Sequence, residues 1–467
     1  MLETLLLLCA LIWLPILLHQ IIHRGFFVLL AWLLIAPIVT NIVNGQTNPF
    51  FETPQDTEWS TSQAKRHGYV AHATRIDLQE VLEPTRTLLG LFLVIFLLNA
   101  ICKKKRLVPL NGTETWMVIF SVILVASAFF QSIRFGYAMH HALDAFIVPF
   151  LAYYVARRLV ISEDRFRLLI SVLGYLSFYV IIICLIERSA NQNLLYRLHG
   201  PFVGQAKLQI ALMVAFYGML IEQRTHPGGI RWFVLCLTPV IILLTWLRAN
   251  WVGFLSGVWV FLFLSYRLST PRQKLQKLGV GLMLIPMLVL GIGAVLSQDF
   301  VAQEVVEKRV SNPKNVDWRL KRWNVAIQEG IEHPFFGIGL TNLQDALGRA
   351  GLNYDTAHTS FLTFFAEQGV VGLLVYLSSV VSIIRMGSRL YRTGANPQDR
   401  WRGAAVIAVL VTHQMPSFFY NELHSYHLGH IYAYVFVGGI AGLYSRHRLV
   451  PAQYAFSKQH HQLSTTR

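Results

Sequence analysis

The chain is a succession of long apolar runs with too little charge between them to build a water-facing surface. The runs lie near Leu5–Ile22, Phe26–Val43, Leu88–Ile101, Thr115–Ile133, Leu143–Ala156, Leu168–Ile186, Leu208–Ile221, Trp232–Trp246, Trp251–Tyr266, Leu278–Leu296, Phe361–Ile384, Ala404–Tyr420 and Leu428–Tyr444. A membrane-crossing helix needs ~20 mostly apolar residues, so these runs predict about 12–14 spans. Lipid offers no water to backbone polar groups, and a helix satisfies them within one segment, so the predicted fold is all-α and polytopic. The 467 residues are 54% hydrophobic and 14% charged, which excludes a soluble globule. Residues 1–467 are expected to form a single integral membrane domain. The first run has no basic n-region and no small-residue cleavage site, so it reads as a retained span.

Basic clusters give the orientation. They recur in alternate loops: Lys103–Arg106; Arg157, Arg158, Arg165 and Arg167; Arg224 and Arg231; Arg267, Arg272, Lys274 and Lys277; Arg385, Arg389, Arg392, Arg400 and Arg402; then Arg446, Arg448 and the tail. The positive-inside rule makes these loops cytoplasmic. Orientation leaves other cations unexplained, among them Arg188, Arg197, Lys207, Arg248, Lys308, Arg309, Lys314, Arg319, Lys321 and Arg322. Either they pair with acids such as Glu304, Glu307 and Asp317, or they form a basic vestibule for an anionic ligand that arrives from the membrane. The four cysteines, Cys9, Cys102, Cys184 and Cys236, show no metal spacing and read as small hydrophobes.

Two long segments interrupt the runs. Asn44–Arg86 mixes Pro, Thr, Trp and charge. Residues 297–359 are predicted to be a large helical extracytoplasmic loop between spans, and a loop of that length is usually functional. Within it, Asp317 is expected to cap a helix whose apolar positions Leu320, Trp323, Ile327 and Ile331 follow helical spacing. Pro334 should stop that helix, and Gly337 and Gly339 should allow a tight turn. Such an amphipathic helix is expected to lie along the membrane surface. Arg319 and Arg322 are three apart and share one side of it. Arg suits bidentate phosphate recognition, although lipid headgroups offer the same chemistry.

Other candidates are single residues. His358 opens the run Phe361–Ile384, where a near-neutral imidazole can act as a general base, with Asp355 to orient it. Arg248, between two apolar runs, either snorkels to the interface or lines an internal site. His424, His427 and His430 are spaced by three, so metal binding is conceivable, but only Glu422 lies nearby to complete a site. No GxxxxGK[ST], GxSxG or HExxH pattern occurs, so neither an ATP-driven pump nor a membrane metalloprotease is supported.

These residues resemble the motifs of the O-antigen ligase and polysaccharide polymerase superfamily of bacterial membrane glycosyltransferases. An Arg, a Trp four residues on, then Pro and G-x-G match Arg319, Trp323, Pro334, Gly337 and Gly339. A His before an apolar helix and E-x-G-x-x-G match His358, Glu367, Gly369 and Gly372. The family's mid-chain Arg matches Arg248, and its Gly-x-Phe stretch is similar to Gly200, Pro201 and Phe202. Two departures are Thr359, where the family usually has Asn, and the LRANW context of Arg248. The resemblance implies transfer of a glycan from undecaprenyl diphosphate to an acceptor hydroxyl on a glycan, glycolipid or protein, at the extracytoplasmic face. It implies no metal, no cofactor and no nucleic-acid partner. In that scheme Arg248 and Arg319, helped by Arg322, hold the diphosphate, His358 is the base, and Asp355 and Glu367 support it. The main rival is a multi-pass transporter of a lipid-linked glycan or small anion. Transporters often show repeated halves and broken helices, and the sequence shows neither.

Overall fold

A computed structural model describes residues 24–35, 90, 110–190, 198, 200, 205–222, 228–245, 247–268, 313–352, 356–418 and 429–445; of 205–207, 248 and 313–316 it describes the backbone alone. The expected spans Leu5–Ile22, Leu278–Leu296 and most of Leu88–Ile101 lie outside these residues, as does the segment 44–86.

Every described element is helical. In chain order they are α1 (Arg24–Ile35), α2 (Gly112–Phe130), α3 (Phe135–Ala142), α4 (Val148–Leu159), α5 (Glu163–Ala190), α6 (Gln205–Ile221), α7 (Gly228–Leu244), α8 (Arg248–Arg267), α9 (Pro313–Glu332), α10 (Leu343–Arg349), α11 (Ser360–Thr393), α12 (Pro397–Gln414) and α13 (429–445). A π turn, Leu143–Ile147, joins α3 to α4, and a 3₁₀ turn, Met415–Phe418, follows α12. Among the described residues, four helices are long and apolar enough to cross a membrane: Gly112–Phe130, Glu163–Ala190, Ala249–Arg267 and Ser360–Thr393. The chain is an all-α polytopic membrane protein.

Sequence explains the ends of these helices. Asn111 and Glu114 form a capping box at the start of α2: the Asn111 side chain accepts from the Glu114 N–H at 2.8 Å, and Glu114 accepts from the Asn111 N–H at 3.0 Å. Asn396 caps α12 on the Asp399 N–H at 2.8 Å, with Pro397 at the first helical position.

Several basic residues read as orientation markers also make ion pairs inside the bundle. Arg157 and Arg158 both donate to the buried carboxylate of Glu114. Arg402, 2% exposed in its side chain, donates to Glu163, Glu222 and Asp399, so it ties α12 to α5 and to the end of α6. Their charges are satisfied within the bundle, as burial of a guanidinium requires.

Two sequence expectations need correction. Asp317 does not cap α9: the helix already begins at Pro313, one turn earlier, because Pro suits the first turn and Asp317 sits exposed inside it. The run Phe361–Ile384 is not one straight span, and the chain does contain a broken helix. Gly369 leaves the helical region (φ 64°, ψ −170°). The Phe364 ring stacks on the Tyr376 ring with centroids 4.8 Å apart. A straight helix would hold residues twelve apart at ~18 Å. Ser360–Gln368 therefore folds back on the helix that follows. Phe120 and Phe146, from α2 and the π turn, pack on the same rings at 5.8 and 5.4 Å from Phe364.

Candidate functional site

The break at Gly369 is held by the turn after α9. Helix ends leave carbonyls and N–H groups without intrahelical partners. Here the segment Pro334–Gly339 supplies both kinds. Ile338 and Gly339 donate to the carbonyls of Ala366 and Glu367 at 2.9 and 3.0 Å, ending the first piece of α11. The carbonyls of Pro334 and Phe335 accept from Val370 and Val371 at 2.8 and 3.2 Å, starting the second. Backbones this close exclude side chains. A Cβ on Gly337 would lie 2.3 Å from the Glu367 carbonyl carbon, and one on Gly369 would lie 2.3 Å from the Phe335 carbonyl oxygen. Gly337, Gly339 and Gly369 also take positive φ (67°, 101° and 64°), which glycine adopts at no steric cost. The P…GxG and ExGxxG motifs are thus two halves of one backbone lock.

Glu367, 2% exposed, accepts from the backbone N–H groups of Thr341 and Leu343, the latter at the start of α10. It organises the loop. Asn342 ties the same loop to the end of α2, donating to the Gln131 carbonyl at 2.9 Å and accepting from the Ile133 N–H at 3.1 Å. Ser127 of α2 accepts from the Leu340 N–H and from the Gln368 amide, at 3.1 and 3.2 Å. Sequence reading missed Ser127, Gln131 and Asn342, which no local pattern marks.

His358 sits at the other end of the folded-back piece. Its φ is 59°, a left-handed conformation uncommon for a residue with a Cβ. Next to it, Thr359 donates to the Ser417 carbonyl at 3.3 Å, and Phe361 packs on Phe418 at 4.5 Å between centroids. The start of α11 is therefore seated on the turn Met415–Phe418. The first turns of α8 meet that same turn, since a Cβ on Gly253 would lie 2.7 Å from Pro416. Arg248 is the first residue of α8, the helix that meets this turn.

Helix α9 lies along α11, with Gly330 under the Phe365 ring. Its inward stripe is Arg322, Ala326 and Gly330, at four-residue spacing, all buried. Arg322 is 5% exposed, and its Nε donates to the Trp318 carbonyl at 3.2 Å. Arg319, one turn earlier on the same side, is exposed. Both guanidiniums act on half-buried His358. Burial first, then Arg322, then Arg319, lower its pKa from the ordinary 6.5 to about 4. The imidazole is therefore neutral at neutral pH, the form that accepts a proton.

Asp355 lies outside the described residues, as do His424 and His427. His430 is buried, and its Nδ1 lies 3.1 Å from Nε2 of His413 on α12. Its described neighbour is thus another imidazole. Among the described residues one group has metal-ligand geometry, Glu329, Glu332 and His333 at the far end of α9 from the Arg pair, and there Glu329 already accepts from Arg349 at 3.1 Å. Gly200 has positive φ (56°) and donates its N–H to Glu187 at 2.9 Å; Pro201 and Phe202 lie outside the description.

A search among proteins of curated function finds no match to this chain. A family model described as Wzy_C, O-antigen ligase, matches residues 232–377, a stretch that holds Arg248, Arg319, Arg322, His358 and both glycine motifs. The chain is thus similar to O-antigen ligases over residues 232–377, and it has a helical membrane architecture.

Proposed function

We propose that the chain transfers a glycan from an undecaprenyl-diphosphate donor to an acceptor hydroxyl at the extracytoplasmic face of the bacterial cytoplasmic membrane. The observation that carries this reading is the neutral, half-buried His358 facing the Arg319–Arg322 side of α9, with the start of α8 against the turn that seats it.

The chemistry follows from the charges. The leaving group is a lipid diphosphate, whose departure needs charge stabilisation more than protonation. Arg319 and Arg322, with Arg248, hold the diphosphate, and preorganised donors of this kind are each worth ~3 kcal/mol in rate. His358 takes the proton of the acceptor hydroxyl as its oxygen attacks the anomeric carbon, which contributes ~10²–10⁴-fold. The new C–O bond forms opposite the breaking one, so the anomeric configuration inverts and undecaprenyl diphosphate leaves. Neither a metal nor a nucleotide enters this scheme. Residues 297–359 form the loop that carries the clamp, inserted in a single membrane domain.

The test is glycan transfer by the purified protein in detergent, with undecaprenyl-diphosphate glycan and a panel of acceptors, in the presence of chelator. Transfer by the wild type and its loss in folded His358→Ala support the reading. Equal transfer by both proteins overturns the role of His358. Movement of the intact lipid-linked glycan across vesicles without transfer would favour the transporter.

A further inference from the structure

We infer that the edge formed by Ile331, Phe335, Phe336, Val370 and Leu374 is embedded in the acyl chains of the membrane leaflet at the loop end of the bundle. These side chains are 66, 68, 61, 39 and 56% exposed, so they form an apolar surface that the protein itself leaves uncovered. A patch of this kind marks an interaction site.

The rings cannot retract from it. The Pro334 and Phe335 carbonyls are tied to Val370 and Val371, and Gly337 is pressed on the Glu367 carbonyl, so the backbone beneath both rings is pinned on two sides. The exposure is therefore built into the fold.

The occupant follows from continuity. Val370 and Leu374 are one turn apart on the membrane-crossing part of α11, and Val381, 40% exposed, extends the same face two turns further. That face meets lipid along the helix, and Phe335 and Phe336 prolong it at its end. In the other direction it runs into α9. At helical spacing that helix has three sides. Arg322, Ala326 and Gly330 face the protein. Leu320, Ile327 and Ile331, 47, 38 and 66% exposed, form an apolar stripe. Asp317, Lys321, Gln328 and Glu332 form an exposed polar stripe beside it. A helix with one apolar and one charged outer side rests at the boundary of lipid and water. The uncharged edge fits acyl chains rather than headgroups or an anionic ligand.

The consequence is positional. The lock that sets the start of α11 would take its depth from the bilayer. This inference concerns the surface and stands apart from the proposed reaction.

The experiment places a nitroxide at Phe336→Cys and, as a control, at Gln328→Cys, in protein whose four native cysteines have been replaced, in vesicles of phosphatidylethanolamine and phosphatidylglycerol. Collision with oxygen should exceed collision with a water-soluble nickel chelate several-fold at 336, and the order should reverse at 328. Equal or greater nickel access at 336 would overturn the inference. Should the cysteine-free protein not fold, wild-type protein is cross-linked in vesicles with a phospholipid carrying a diazirine on its acyl chain. Label on the peptide around Phe335–Phe336 is expected; label on the rest of the lipid-facing α11 but not there would refute the idea. Both readouts are independent of glycan transfer, so a failed activity assay leaves them intact.

Discussion

Phe364 and Tyr376 lie twelve residues apart in what reads as one helix, yet their rings stack at 4.8 Å. The fold-back at Gly369 brings them together, and it also brings Thr359 to Ser417 and Tyr376 to Gln414, three residues away on the next element. His358 is thereby seated against the bundle instead of projecting beyond the end of a straight helix.

The lock predicts an unequal set of glycine variants. Gly337→Ala and Gly369→Ala each drive a Cβ into backbone at 2.3 Å and demand positive φ of alanine. Each should lose about 2–4 kcal/mol, or fail to accumulate. Gly348→Ala, with nothing within 4 Å, should be neutral or slightly stabilising. Thermal melting in detergent, followed by size-exclusion fluorescence, checks the contrast.

At Glu367 the two substitutions should diverge. Glu367→Gln keeps an oxygen that accepts from Thr341 and Leu343, and it should fold. Glu367→Ala strands both N–H groups and should cost about 1–3 kcal/mol for each one left buried. If the two variants melt together, the carboxylate is not organising the loop.

His358 makes two predictions about pH. Its pKa is lowered in the folded state, so the neutral form contributes stability above the unfolded value near 6.5, and this is lost as pH falls through about 4. Wild-type melting temperature should fall more steeply than that of His358→Gln across this window, by at most one proton, about 1.4 kcal/mol per pH unit. For transfer, a bound diphosphate would offset the two guanidiniums, which add to burial in holding the pKa down. The acid limb of kcat should then lie at higher pH than that of kcat/KM, which reports the free enzyme. Coincident limbs would argue against the Arg clamp.

The backbone of His358 offers a separate check. Its left-handed φ of 59° costs a residue with a Cβ about 1–2 kcal/mol. His358→Gly should be about 1 kcal/mol more stable than His358→Ala, while both lose transfer. A glycine variant less stable than the alanine variant would show that the conformation is not strained.

Arg402→Ala should be among the most damaging changes in the bundle. It leaves Glu163, Glu222 and Asp399 around an empty site, and breaking a buried ion network by removing one partner costs about 3–5 kcal/mol. The variant should melt earlier by a corresponding amount with no change in the pH profile of any remaining transfer.

Much of this was legible in the chain. The apolar runs predict helices that the structure contains over Gly112–Phe130, Glu163–Ala190 and Gly228–Leu244, and Pro334 ends α9 where its missing N–H demands. The motif residues could be named, and Arg319 and Arg322 do share a side of α9. What was not legible is where the inward face of that helix lies. Leu320, Ile327 and Ile331 follow helical periodicity and are exposed, whereas the stripe turned to the protein is Arg322, Ala326 and Gly330, which hydropathy does not mark. Hydropathy does not distinguish a face buried in protein from a face meant for lipid. Nor does a count of Arg residues reveal that Arg402 is an internal staple.

By itself, the sequence determined the class of fold, because apolar runs of this length leave the backbone no solution but helices, and it determined which residues carry unusual chemistry, because Gly, Pro, Arg and His stand out against hydrocarbon. Only the tertiary structure decided that Pro334–Gly339 caps both halves of α11, and that α9 lies along α11 while the start of α11 sits on the turn Met415–Phe418. Those contacts join segments far apart in the chain through main-chain groups, which every residue shares, so no local pattern of side chains can announce them.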